Sequence, residues 1–420
     1  MFPGIEWTEV GMVTKARAWA AIAALAVVAP FGLAGCGGDE GERPSFVNGT
    51  TGDSGSPNPP AEPLELTVTP ANGAKKQPVS TEIGTSVKGG KITNVKLTAE
   101  GGGTVPGAMR EDGSSWVPAS PLKYGKTYTA EVTATTPSGQ TETKTTTFTT
   151  MAKPKSVIGS GLYLFDDKTY GVAMPVVVEF SPGIPKKDRA TVQRRMFVET
   201  DPPQPGTWYW VANGTQAYYR APEYWKPGTT LKVRIGLEGI PLSNGRYGNV
   251  DRKATAKIGS RFEMKVDNAT KKMSVYEDGK LIRTMPVSLG KKSTPSSSGT
   301  MVIMEKKKST VFDTRDDPNP ANRYVTEIDF AQRLTWGGEY IHAAPWSVGD
   351  QGRRNVSHGC VNVSTPNARW LFERTKIGDP VTIAGTERKL ADGNGWTAWN
   401  LSWEEFVKGS ALPVPDNLGS

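Results

Sequence analysis

From Leu64 onward the chain repeats one device: short runs in which apolar and polar residues alternate, separated by turn residues. Leu66 and Val68 belong to one run, Tyr128, Ala130 and Val132 to another, and Phe262, Met264 and Val266 to a third. A period of two puts every second side chain on one face, which is the pattern of a half-buried strand. The 47 Gly and 32 Pro, with abundant Thr and Ser, favour strands and turns over long helices. The expected class is mostly β, and 420 residues imply two to three cores at roughly 150 residues per domain.

Residues 64–151 and 152–258 each read as a sandwich of the immunoglobulin-like kind. They share a weak echo: Leu122-Lys123-Tyr124-Gly125-Lys126-Thr127-Tyr128 aligns with Trp225-Lys226-Pro227-Gly228-Thr229-Thr230-Leu231, about one such domain further on. A third strand-rich domain is expected over 259–385, with an Asp278-Gly279 hairpin turn between Val275 and Leu281. Thr365 as N-cap and Pro366 as first helical residue open a short helix with Ala368, Leu371 and Phe372 on its apolar face. Residues 386–420 form a tail with Trp396, Trp399 and Trp403, expected to pack back on the third domain, and Ser402 and Glu405 have capping-box spacing.

At the start, Lys15 and Arg17 precede an apolar run from Ala18 to Leu33 that closes on Ala34-Gly35-Cys36. A charged start, a short apolar stretch and small residues at the end make a secretory signal, so the chain is expected to be exported. The ending resembles a bacterial lipobox, in which Cys36 is lipidated and becomes the new N-terminus. Two acyl chains suffice for stable anchoring, at about 0.8 kcal/mol per buried CH₂. A plain signal peptide with a chance cysteine is the simpler alternative. Residues 1–11 carry Glu6 and Glu9 and lack the character of a signal start, so translation begins at Met1 or Met12 with the same mature chain. Residues 37–63, rich in Gly, Pro and Ser, read as a disordered tether spanning roughly 30 Å.

Net charge is +8, yet the basic residues are scattered, with Lys306-Lys307-Lys308 the one tight cluster. That fits an anionic neighbour such as a membrane surface or cell wall, and equally a solvated surface. There is no zinc spacing, phosphate-binding loop or RNA-binding signature, so no nucleic-acid partner and no metal are expected.

The chain has two cysteines and two histidines, and three of these four fall between 342 and 360. If Cys36 is lipidated, Cys360 has no disulfide partner in the chain and requires either burial or reactivity as its reason. Alone, Cys360 reads as a buried small hydrophobe and His358 as a core histidine. Together with His342, Gly359 and Asn362 they read as chemistry. An imidazole that takes the thiol proton makes cysteine a nucleophile, which requires an accessible, partly ionised sulfur. Gly359 permits a tight turn that can aim main-chain N–H groups at an oxyanion, each such donor being worth about 2.7–4 kcal/mol.

Ser357-His358-Gly359-Cys360-Val361-Asn362, preceded by His342, resembles the signature of the L,D-transpeptidase (YkuD-type) catalytic domain. Ala344-Pro345-Trp346-Ser347-Val348-Gly349 resembles its mycobacterial and related actinobacterial branch, and the likeness runs over about 155–408. It implies that Cys360 attacks a peptidoglycan stem-peptide carbonyl with His342 as base and later acid, without cofactor. It also implies that the main-chain carbonyl of the next residue, here Ala343 in place of the usual Ser, orients the imidazole. By the same comparison Ser357, His358 and Asn362 hold the turn and the substrate, Tyr324 lies near the oxyanion site, and Trp346 walls the pocket. The loop from Met301 to Arg323 corresponds to a lid, with an unusual Asp316-Asp317-Pro318-Asn319-Pro320 stretch. The implied reaction joins a tetrapeptide donor to the side-chain amine of a diamino acid in a neighbouring stem, forming a 3→3 cross-link at the outer face of the membrane. Carbapenem β-lactams are the implied covalent inhibitors. An L,D-carboxypeptidase would use the same residues, and a non-catalytic wall-binding lipoprotein is the alternative from another class.

Overall fold

Alternation becomes paired strands throughout the structure, a computed structural model that describes residues 63–315, 320, 323–415 and 418. The signal segment, Cys36, the tether before Pro63 and residues 316–319 and 321–322 of the lid loop lie outside the described residues. In the strand Glu65–Thr69 only Leu66 and Val68 are buried, and in Thr127–Thr135 Tyr128, Ala130, Val132 and Ala134 turn inward. These side chains close the first core between a four-stranded and a five-stranded sheet, with Ile83, Leu97 and Phe148. The chain is therefore mostly β, as its alternation requires.

A second pair of sheets, of five and four strands, spans Val157–Leu162 to Asp251–Ile258 around Val177, Phe180, Tyr218, Trp225 and Leu231. The sequence echo has a structural counterpart. Gly125 (φ +63°) donates its N–H to the Met151 carbonyl at 2.9 Å, and Gly228 (φ +86°) donates to Ile258 at 2.9 Å. Each glycine turns the chain into the strand that follows, at a φ which costs other residues strain. Between the two sandwiches, Glu82 accepts from Arg110 Nη2 at 2.6 Å and Arg195 Nη1 at 2.5 Å, tying Ile83's strand to the second sandwich.

Beyond Ile258 a six-stranded sheet runs in the order Lys280–Pro286, Lys272–Glu277, Phe262–Asp267, Pro380–Ala384, Ser297–Val302, Arg388–Lys389. The hairpin turn is at Asp278 (φ +47°) and Gly279 (φ +80°), both in the left-handed region that a two-residue loop of this kind demands. A four-stranded sheet, Glu305–Asp313, Val325–Arg333, Tyr340–Ala343 and Val361–Val363, packs across a core of Met264, Met285, Met301, Ile341, Val361 and Ile383. The helix Thr365–Arg374 buries Ala368 and Leu371 against that core. Its N-cap is Ser364, one residue earlier than the sequence suggested, because Thr365 already has helical geometry ahead of Pro366.

The Trp-rich tail lies against both the second sandwich and the third domain. Trp396, Ala398 and Phe406 join the second sandwich's core, and Arg220 donates to the carbonyls of Ala398 and Leu401. Asn394 and Asn400 accept from the backbones of Gly337 and Thr300 in the third domain. The capping box at Ser402 and Glu405 is present, with both reciprocal bonds made.

Candidate active site

Two short parallel strands bring the sequence-distant residues together. Tyr340–Ala343 pairs with Val361–Val363 in the register Ile341 to Val361, His342 to Asn362 and Ala343 to Val363. Ile341, Ala343, Val361 and Val363 enter the apolar core, so alternation turns His342 and Asn362 together to the opposite face. Cys360 immediately precedes the second strand. Cys360, His342, Asn362, Ser357, His358, Tyr324 and Trp346 all line one cleft of about 410 Å³, together with Phe312 from the strand Glu305–Asp313 and Thr326 and Ile328 from Val325–Arg333.

The turn before Cys360 is held from inside. Gly359 has φ +126°, where a side chain would be strained, and its carbonyl accepts from Ser296 Oγ at 2.7 Å. Ser357 Oγ accepts the Gly359 N–H at 3.1 Å and donates to the Cys360 carbonyl at 2.7 Å. The Gly359 N–H, which sequence reasoning offered as an oxyanion donor, is therefore already engaged by Ser357. Ser357 is a clamp of the turn, and its own backbone bonds to Leu289 and Lys291 tie the turn to the neighbouring loop.

His342 Nδ1 lies 2.8 Å from the carbonyl of Ala343. A carbonyl only accepts, so Nδ1 carries the proton and Nε2 keeps the lone pair a base needs. Phe312 stands edge-on to the imidazole at 5.8 Å between centroids, and Trp346, more than half exposed, flanks it at 6.0 Å. Asn362 Nδ2 donates to Ser347 Oγ at 3.2 Å, which fixes the carboxamide beside His342. On the far side of the cleft the Tyr324 ring packs 5.0 Å from His358, whose Nε2 is 2.9 Å from Lys291 Nζ.

Electrostatics differ from the sequence expectation of an accessible, partly ionised sulfur. Cys360 is 6% exposed and His342 3%. Burial pushes the Cys360 thiol up to about 12, against a lowering by the Tyr340 main-chain N–H and with a further rise from Glu339. Burial pulls His342 down to about 4, although the Ala343 carbonyl and Asn362 favour its protonated form. The resting pair is a neutral thiol and a neutral imidazole, so the proton moves during attack. Sγ itself lies 3.7 Å from the Gly338 carbonyl. Tyr324 is raised by burial and by Cys360, which keeps its hydroxyl a donor.

The sequence missed Phe312, Lys291 and the main chain from Gly338 to Tyr340, since only folding places them beside the motif. Phe312 carried no alternation signal, since it stands next to Val311 in the strand Glu305–Asp313, and only strand pairing leaves Val311 exposed and turns Phe312 to the cleft. Among the described residues no group of three or more His, Cys, Asp or Glu is placed to hold a metal ion.

Comparison with known proteins gives a consistent set. Residues 261–383 match the L,D-transpeptidase catalytic domain, and residues 74–241, which run across both sandwiches, match a bacterial Ig domain. L,D-transpeptidase 2 of Mycobacterium tuberculosis is 31% identical over 351 residues, covering 83% of this chain and 85% of that protein. L,D-transpeptidase 5 of the same species is 35% identical over 363 residues, covering 83% of this chain and 78% of that protein. Among solved structures, an L,D-transpeptidase in complex with imipenem is 32% identical, covers 55% of this chain and all of its own, and superposes with a TM-score of 0.46.

Proposed function

This chain belongs to the L,D-transpeptidases, and from that premise we propose that Cys360 carries the acyl group and His342 moves the protons. In the first half-reaction, Sγ attacks the carbonyl that joins the L-centre of the donor's diamino acid to its terminal D-alanine. The thiol proton passes to His342 Nε2 and then to the departing amine, leaving a thioester on Cys360. In the second, the side-chain amine of a neighbouring stem attacks the thioester. Its proton goes to His342 and returns to the released sulfur. The product is a 3→3 cross-link, and enzyme and imidazole end as they began.

The observation that carries this reading is the parallel register that pairs His342 with Asn362, two residues after Cys360, so that all three line one cleft, with Nδ1 held by Ala343. A buried, neutral base beside a buried thiol suits proton transfer within the attack, where general base catalysis contributes about 10²–10⁴-fold. The Tyr324 hydroxyl and the Cys360 main-chain N–H would donate to the oxyanion, a role supported by Tyr324 and Cys360 lining the same cleft. Carbapenems would acylate the same sulfur through their strained carbonyl. Export and lipidation at Cys36 would hold the enzyme at the membrane with its catalytic domain facing the wall.

Incubation with purified disaccharide-tetrapeptides tests the function. The expected products are 3→3 dimers and one D-alanine per cross-link, separated by chromatography and sequenced by mass spectrometry. Tripeptide monomers with D-alanine and no dimers would make the enzyme an L,D-carboxypeptidase. No product at all would overturn both. For the anchor, Cys36→Ser should release the protein from membranes, and unchanged membrane association would count against lipidation there.

A further inference from the structure

Next to the nucleophile, and not among the residues that line the cleft, lies an ion pair that the acyl transfer described above does not use. Glu339 is 4% exposed, and its neighbours Gly338 and Tyr340 are the residues whose main chain meets Cys360 Sγ. Its carboxylate accepts the Ser297 N–H at 3.1 Å and Ser297 Oγ at 2.8 Å, and it is ion-paired with Arg388 Nη2. The strand Arg388–Lys389 pairs in parallel with Ser297–Val302, Ser297 facing Arg388, so sheet register seats the guanidinium beside the carboxylate. Both groups reach the turn: a methyl group added to Gly359 would stand 3.6 Å from Glu339 Cγ and 3.7 Å from Arg388 Nη2.

We propose that Glu339 and Arg388 act as positioning residues that set the reactivity of Cys360, Arg388 cancelling the negative charge that Glu339 would otherwise present to the developing thiolate. The inference rests on Cys360 being the nucleophile. A buried carboxylate next to a nucleophile that must become negative opposes its ionisation, and Glu339 does raise the thiol. Hydrogen bonds from Ser297 account for its burial, whereas only a cation cancels its charge. Arg388 supplies that cation while nearly half of its side chain remains exposed. Among the described residues, the other ionisable groups around Cys360 are His342, Tyr324, Tyr340 and Asp350, the last ion-paired with Arg354, with His358 and Lys291 beyond the turn.

Alkylation of Cys360 by iodoacetamide tests this without any peptidoglycan substrate, so its outcome is separate from that of the cross-linking assay. Below the thiol's titration, the rate is proportional to the thiolate fraction, so a tenfold change in the thiol's acidity constant changes the rate tenfold. The adduct on the Cys360 peptide is followed by mass spectrometry from pH 6 to 10 in the intact protein. Arg388→Gln should slow alkylation several-fold to about tenfold across that range, and Glu339→Gln should speed it by a similar factor. The double variant should return close to the wild-type profile, which lost packing alone would not produce. If Arg388→Gln does not fold, Glu339→Gln alone decides. Rates in the folded single variants that match wild type at every pH, or a double variant as slow as Arg388→Gln, would overturn the proposal.

Discussion

At the scale of single residues, His342 combines two roles that pull on the same titration. Its imidazole is neutral in the folded protein down to about pH 4, whereas the unfolded residue titrates near 6.5. A depressed folded value means that the stability contribution is present above 6.5 and lost as pH falls toward 4, by up to roughly 3 kcal/mol. The difference in melting temperature between wild type and His342→Gln should therefore shrink, or move in the variant's favour, as pH falls from 7 to 4. A constant difference over that range would mean that the ring is not buried neutral. For catalysis, His342→Ala should slow turnover by about 10²–10⁴-fold with the protein still folded. The nucleophile and base were legible because rare residue types cluster around a glycine turn. The charge state was not, since the burial that sets it comes from packing, as where Phe312 from the distant strand Glu305–Asp313 meets His342.

At the scale of elements, the site depends on one turn and two three- to four-residue strands. Gly359 at φ +126° is the critical position, because its Cα also faces Glu339 and Arg388. Gly359→Ala should cost about 1–3 kcal/mol in backbone strain and misplace Cys360, lowering turnover more than stability. Urea unfolding alongside kinetic assays separates the two, and an unchanged turnover would remove the turn from the mechanism. Strands were readable here from alternation, and the Asp278-Gly279 hairpin and the Ser402 capping box from local chemistry. The engagement of the Gly359 N–H by Ser357 was hidden, because the same Ser-His-Gly-Cys string permits either bond partner until the backbone is placed. Nor could the string reveal Arg388, which reaches Glu339 only through parallel pairing with Ser297.

At the scale of the whole molecule, the second sandwich, the third domain and the tail share apolar contacts and buried polar groups. Asp379 sits at one such junction: Gly171 of the second sandwich donates to Ile377 at 2.8 Å, and a methyl group on Gly171 would strike Asp379. Its Oδ2 accepts from Lys376 N at 2.6 Å, while Oδ1 is buried without a hydrogen bond. Burial raises the carboxyl to about 7, against the pull of the Lys376 N–H and the Lys376 and Lys306 charges. A raised folded value gives stability that is present below 3.8 and lost as pH climbs through 7, opposite in sign to His342 over the same window. Asp379→Asn should thus raise the melting temperature at pH 8 and leave it nearly unchanged at pH 4, and equal changes at both would contradict a buried, titrating carboxyl. Such junctions escape sequence reading because neither Gly171 nor Asp379 carries a local signal of the other. All of this architecture serves one sulfur, and the most direct test is to trap the acyl-enzyme. Protein mixed with a disaccharide-tetrapeptide whose diamino-acid side-chain amine is acetylated, so that it can donate but not accept, then acid-quenched and digested, should carry the disaccharide-tripeptide acyl group as a thioester on the Cys360 peptide, and Cys360→Ala should carry none and, given the unblocked tetrapeptide, make no dimers. Wild-type levels of 3→3 dimers from Cys360→Ala would contradict the assignment of the nucleophile.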